Sequence, residues 1–255
     1  MNNKILNDQI KRIVEYSSDY KQINLLDQRF YKRNDKHYPS VSTILQCYPK
    51  GKYYEDWIKS NGFNSDIIAA KAAAEGTQVH NIIEDFLSGK EIEWIDKYGN
   101  TQWSLDVWKM VLKFADFWNT YKPELIATEY HLFSDQHEYA GTSDIICRLN
   151  KKNWLIDIKT SNSLHISYDL QLSAYAKAWN ETHSEHIEET GILWLKASTR
   201  GPQKDKIQGA GWQLKNIGNI DTNFEIFLKI FDIYKLENPN IKPYLETIPV
   251  SVKIN

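Results

Sequence analysis

Cysteine is almost missing from this sequence, with only Cys47 and Cys147 among 255 residues. Two thiols cannot build a disulfide framework, a four-cysteine zinc site or a cysteine-ligated iron–sulfur cluster, and such sparse usage points to a reducing compartment. Long apolar runs are missing as well. The opening stretch MNNKILNDQIKRIVEY lacks the continuous apolar core of a secretory signal, and no run approaches the roughly 20 apolar residues of a membrane span. The expectation is a cytoplasmic protein with no membrane partner, and heavy use of Asn, Lys and Ile suggests a bacterial or phage-infected cell. Positive charge is not in excess either: 31 Lys and Arg against 33 Asp and Glu leave a net charge of -2. With no global basic field, any nucleic-acid contact must rest on a local patch. No G-x-x-x-x-G-K-[ST] occurs, so the chain carries no ATP motor of its own. No repeat and no low-complexity linker divides it, which predicts one domain over 1–255.

What is present is an ordinary globular composition, 42% hydrophobic and 25% charged, rich in Trp and Tyr. Residues 3–16 pattern as a helix. A hairpin turning at Asn34-Asp35 follows, with a boundary at Pro39. YYEDWIKSNG and SDIIAAKAAAEG read as helices. GTQVHNIIEDFLSG reads as a further one, with Thr77 as its cap, Gly89 as its end and a stripe of Val79, Ile82, Ile83, Phe86 and Leu87. A long amphipathic helix ends at Pro123. Strands are expected at 125–133, 142–149 and 153–160, then a helix at 166–180, a strand pair in TGILWLKAS and GAGWQLKNI, and a closing helix in NFEIFLKIFDIYKL. Helices before and after a central group of strands predict an α/β fold: a mixed β-sheet flanked by helices, with an N-terminal helical and hairpin extension.

Within NWLIDIKTS, Asp157 and Lys159 share one face of a strand while Ile156 and Ile158 share the other. If this strand pairs with 142–149 through a turn at Lys151-Lys152, Asp144 opposes Lys159 and Ile146 opposes Asp157. That register gathers Ile145, Cys147, Leu149, Trp154, Ile156 and Ile158 on one apolar face and Asp144, Asp157 and Lys159 on the other. Two carboxylates so close repel unless a cation neutralises them, which suits Mg²⁺. An Asp–Lys pair on a solvated strand, worth ~0–1 kcal/mol, is the bland alternative. His80 and Glu84, four apart on a helix, can face one site together, as can Gln171 and Tyr175. Taken alone, a histidine beside a core stripe is more often structural than a ligand, and a Gln–Tyr pair at this spacing is unremarkable.

The order of these elements carries more. GTQVH, GTSD, DIKTS and QLSAY, in this sequence, resemble the RecB-like branch of the PD-(D/E)XK nucleases. YPSVSTIL and YYEDWIKSNG are similar to the lead-in of phage and mitochondrial genome-maintenance exonucleases of that branch. The resemblance covers about residues 28–180. It implies a restriction-endonuclease-like core over about 61–235, preceded by an extension over 1–60. It implies that Asp144 and Asp157 are metal-binding carboxylates, His80 a further ligand, and the backbone carbonyl of Ile158 an added oxygen. Lys159 would be the catalytic lysine, and Gln171 and Tyr175 would support the site and contact DNA. Glu129 sits where many relatives carry an acid, and both Glu129 and Glu84 are equally readable as structural or surface residues. Ser143 replaces the proline of the superfamily name, and Glu75 stands where a basic residue is common.

The implied reaction is hydrolysis of DNA phosphodiester bonds with Mg²⁺ or Mn²⁺, most simply as an exonuclease on single-stranded or duplex ends in replication, recombination or repair. Lys159 is expected to act electrostatically, since a general base would need a pKa far below its usual ~10.4. Lys196, Arg200, Lys204, Lys206 and Lys215 form a basic stretch able to follow a phosphate backbone, with Trp212 or Tyr175 as a stacking surface. A solvated hairpin tip with a core Trp is the equal alternative. A single-strand annealing or replication protein would be a fitting partner. Competing readings are an endonuclease on the same core, a non-catalytic DNA-binding protein on a degenerate nuclease fold, and a metal-dependent hydrolase of small substrates.

Overall fold

Alternating apolar and polar residues build a five-stranded sheet from β4 (Glu124–Ser134), β5 (Tyr139–Leu149), β6 (Lys152–Lys159), β7 (Glu189–Trp194) and β8 (Gln213–Asn216), in that spatial order. The computed structural model describes residues 28–33, 36–196 and 211–239, with the backbone alone at 22–25. The predicted helix at 3–16, the turn at Asn34-Asp35, Arg200, Lys204, Lys206 and the C-terminal tail lie outside the described residues. All neighbouring strands of the sheet are antiparallel except β6 and β7, which run parallel. A parallel pair needs a crossover, and the helix Ile166–Thr182 supplies it. A second, three-stranded antiparallel sheet is formed by β1 (Gln22–Leu25), β2 (Gln28–Arg33) and β3 (Lys36–Pro39). The fold is the expected α/β arrangement of a mixed sheet between helices.

The helices are α1 (Val41–Ile44), α2 (Lys52–Asn61), α3 (Asn64–Leu87), α4 (Leu105–Tyr121), α5 (Ile166–Thr182) and α6 (Ile220–Glu237). Ser104 caps α4 by accepting from the Val107 amide, and Asn219 caps α6 by accepting from Thr222. Helices α3 and α4 cover one face of the large sheet, packing Val79, Ile83, Phe114 and Phe117 on Ile145, Cys147, Ile156 and Ile158. Helices α5 and α6 cover the other, packing Leu172, Ala176, Phe227 and Phe231 around Ile146, Leu155 and Ile192. Each such apolar side chain contributes ~1.5–3 kcal/mol on burial. The sheet is therefore apolar on both faces in its middle, and inward charge gathers where Glu129, Asp144, Asp157 and Lys159 line the cleft.

Two expectations need correction. The β5–β6 turn falls on Asn150-Lys151 (φ 52 and 65), not on Lys151-Lys152, so Leu149 pairs with Lys152 and Ile145 with Ile156. Two consecutive left-handed residues make the tight hairpin turn whose twist matches the strands, and Asn tolerates the first such position better than Lys. The register slides by two residues, which keeps every side chain on its predicted face but moves Asp144 from beside Lys159 to beside Asp157. The second correction concerns α3. SDIIAAKAAAEG and GTQVHNIIEDFL form one 24-residue helix, and Thr77 is not its cap: its hydroxyl donates back to the Ala73 carbonyl at 3.1 Å. Gly76 is present for close approach rather than for an end. A Cβ there would lie 2.9 Å from Thr160 Oγ1, where α3 crosses the end of β6.

Candidate metal centre and its lysine

Strand register puts one carboxylate on each of three neighbouring strands. Thr128 pairs with Ile145 and Tyr130 with Ser143, so Glu129 on β4 faces Asp144 on β5. One step beyond the Ile145–Ile156 pair, Asp144 stands beside Asp157 on β6. Opposed residues of antiparallel strands share a face, so the three acids form a row. Glu129 holds φ 46, a left-handed conformation that costs a non-glycine residue ~1–3 kcal/mol and persists where the surroundings impose it. The Thr128 hydroxyl donates to the Asp144 carbonyl at 2.9 Å and braces that junction. Asp144 Oδ2 accepts the Ile158 amide at 2.7 Å.

From across the cleft, α3 brings His80, whose Nδ1 is 3.6 Å from Asp144 Oδ2. One donor atom each of His80, Glu129 and Asp144 lies within 4.8 Å of the others. Imidazole and carboxylate donors at this spacing could hold a divalent cation. Burial, reinforced by the charge of Asp144, pushes the Glu129 carboxyl up to about 7. Asp157 is 3% exposed, and burial pushes it up to about 6 against the pull of Lys159. Its Oδ2 has no partner with hydrogen-bond geometry, although Lys159 Nζ stands 2.7 Å away as an ion pair.

Lys159 is enclosed. Besides Asp157 it donates to Gln171 Oε1 at 3.3 Å and lies 4.5 Å from the centroid of the Tyr168 ring. Gln171 in turn donates to the Tyr175 hydroxyl at 3.0 Å. Burial works to lower the lysine pKa, but the Asp157 and Asp144 carboxylates outweigh it and hold the ammonium above its ordinary value. A lysine so held is a fixed positive charge, not a proton acceptor. Tyr175 itself is buried, and its ring fills the space over Gly141, where a Cβ would lie 2.2 Å from Tyr175 Cε1. The glycine of GTSD is thus required by the tyrosine of QLSAY. Gly141→Ala is expected to destabilise the fold by ~1–3 kcal/mol, read as a lowered urea midpoint at unchanged slope.

The cleft that opens on these groups has a volume of about 890 Å³ and is lined by Arg29, His80, Glu84, Glu129, Asp144, Asp157, Ile158, Lys159, Gln171 and Tyr175, among others. Nine of the residues singled out from sequence meet here, and Arg29 joins them from the small sheet. Glu129, read from sequence as no more than an alternative to a surface acid, is one of the three clustered donors, while Asp157 is engaged by Lys159 beside them. Ile158 contributes its amide to Asp144. Glu84 is exposed at the rim, one turn beyond His80. Lys196 is not in the lining; it donates to Asn162 at 3.4 Å on the adjoining loop. Trp212 offers no stacking surface, being 1% exposed with its indole N–H donating to Asp116 at 2.7 Å, and buried Tyr175 offers none either. Thr142 was not singled out by sequence, yet its hydroxyl meets Tyr31 and His131, each at 2.9 Å, and ties the small sheet to the site. Arg29 and Tyr31 come from a segment with no motif, and only the fold could bring them in. Tyr168 stands three residues before Gln171 on the same helical face, a spacing that could have pointed to it.

Among the described residues no helix is long and apolar enough to cross a membrane. No family model matches this chain, and no curated protein does. Among solved structures, one titled "Crystal structure of SSO0001" aligns at 16% identity with a TM-score of 0.29, over 50% of this chain and 60% of that one.

Proposed function

We propose that this chain is a metal-dependent deoxyribonuclease that hydrolyses phosphodiester bonds at DNA ends. The observation that carries the reading is the donor cluster of His80, Glu129 and Asp144 within 4.8 Å, adjoining a buried Asp157–Lys159 pair in an open cleft. His80, Glu129 and Asp144 would hold the cation, with Asp157 next to them. A bound Mg²⁺ or Mn²⁺ supplies Lewis acidity and a more acidic water. The chain's own contribution is orientation and charge. Lys159, fixed between Asp157, Gln171 and the Tyr168 ring, would present a positive charge where a phosphoryl group gains negative charge, and Arg29 adds a second cation to the lining of the cleft. The resemblance of GTQVH, GTSD, DIKTS and QLSAY to RecB-like PD-(D/E)XK nucleases supports the same chemistry.

The test is incubation with end-labelled linear DNA. Degradation is expected with Mg²⁺ or Mn²⁺, none in excess chelator, and none from Asp157→Ala. A closed circular single strand should survive an exonuclease, whereas its linearisation would point to an endonuclease on the same core. Full activity of wild type in chelator, or of Asp157→Ala with metal, removes the proposal.

A further inference from the structure

Beside the metal cleft lies a second groove, of about 770 Å³, between α2, the segment 42–50 and the loop leading into α5. Five aromatic side chains line it: Tyr48, Tyr53, Tyr54, Trp57 and Tyr168. Tyr54 and Trp57 present their faces nearly in parallel, 6.1 Å apart and inclined by 25°. Tyr53 is 95% exposed and Tyr54 39%, so these rings are not core residues. Lys50 Nζ stands 4.5 Å over the Tyr54 ring. No carboxylate lines this groove, in contrast to the acid-rich cleft beside it. The rest of its lining is largely polar, with Ser161, Asn162 and Ser163 on the loop before α5 and Ser167 in the first turn of that helix.

The two cavities adjoin. Ser42, Ser161, Tyr168 and Gln171 line both, and Tyr168 is the ring beneath the Lys159 ammonium. We infer that this groove is a base-stacking track for a single-stranded nucleic acid, whose unpaired bases lie on Tyr54 and Trp57 while its backbone passes Tyr168 into the metal cleft. The path into the cleft rests on the nuclease reading; the stacking does not. Exposed aromatic faces with one lysine, Lys50, and no acids suit unpaired bases, because every base has a π face. A duplex has its base faces already stacked on one another and offers none to these rings except at its ends. The occupant therefore is a separated strand.

The experiment measures binding without hydrolysis. In EDTA, a fluorescein-labelled oligothymidylate of about 16 nucleotides is titrated with protein by anisotropy, alone and annealed to its complement. The single strand should bind about tenfold tighter or more, and the Tyr54→Ala/Trp57→Ala variant should lose about tenfold or more of that affinity. Tyr53→Ala, whose ring touches mostly solvent and cannot unfold α2, should lose several-fold. Equal binding of duplex and single strand, or affinity unchanged in both variants, overturns the track whatever the enzyme cleaves. Ring-dependent binding by a protein that hydrolyses no DNA with Mg²⁺ or Mn²⁺ sustains the track and removes the nuclease reading instead.

Discussion

Lys159→Met should lower the turnover of metal-dependent DNA cleavage by about 10²–10³-fold, the usual effect of removing one preorganised electrostatic group from a reaction centre. Three contacts fix that ammonium: Asp157 at 2.7 Å, Gln171 at 3.3 Å and the Tyr168 ring at 4.5 Å. Lys159→Arg should be nearly as damaging, since a planar guanidinium cannot occupy a point-charge position between a carboxylate, an amide and a ring face. Removal of the lysine also leaves Asp157 buried without its partner, and breaking a buried pair from one side typically costs ~3–5 kcal/mol. Protonation of Asp157, already displaced upward by burial, softens that cost. The Asp157→Asn/Lys159→Met double variant should therefore be more stable than Lys159→Met alone, with a coupling of ~0.5–3 kcal/mol in urea denaturation. Retained turnover in Lys159→Met, at metal saturation and with normal folding, would falsify the electrostatic role.

The fold and the site were legible in the sequence to different depths, for physical reasons. Short apolar runs and period-3.6 stripes gave the sheet and its flanking helices, because burial on both faces leaves the strands nearly continuously apolar. The face shared by Asp144, Asp157 and Lys159 followed from alternation alone, which a slide of two residues does not disturb. Their partners along the strand did not follow, because the slide depends on which of Asn150, Lys151 and Lys152 take left-handed conformations. Thr77 read as a helix cap because threonine is a common one, yet the helix runs through it, and the glycine before it is there for the approach of Thr160 from another element. Glu129 could not be promoted above its alternatives from sequence, as its position depends on a backbone irregularity in β4. Arg29 carries no spacing signal at all, and the i, i+3 spacing of Tyr54 and Trp57 places them on one helix face without saying what that face meets. A tryptophan beside a basic loop reads equally as a ligand surface or a core residue, and only burial decides that Trp212 is the latter.

The second large effect concerns pH and metal together. Asp157 titrates near 6 and Glu129 near 7 in the folded chain, against ordinary values of 3.8 and 4.5. Acids raised on folding bind protons more tightly in the native state, so stability from these two groups is greatest below about pH 4 and falls as pH rises toward 7. For Asp157 alone the loss is on the order of 3 kcal/mol. A divalent cation reverses this slope, because it binds the ionised carboxylates and displaces their protons. Mn²⁺ should hardly move the melting temperature at pH 5, and should raise it by roughly 5–10 °C at pH 8 with the metal at ~100 times its dissociation constant. Glu129→Gln separates the two contributions: it removes a crowded charge and a donor at once, so the metal-free protein should melt higher than wild type at pH 8 while its Mn²⁺-induced shift shrinks. Calorimetric scans of both proteins across this range decide the matter. A Mn²⁺ shift of equal size at pH 5 and pH 8, or one untouched in Glu129→Gln, would mean that the cation sits elsewhere and that the row of acids on β4, β5 and β6 serves a different purpose.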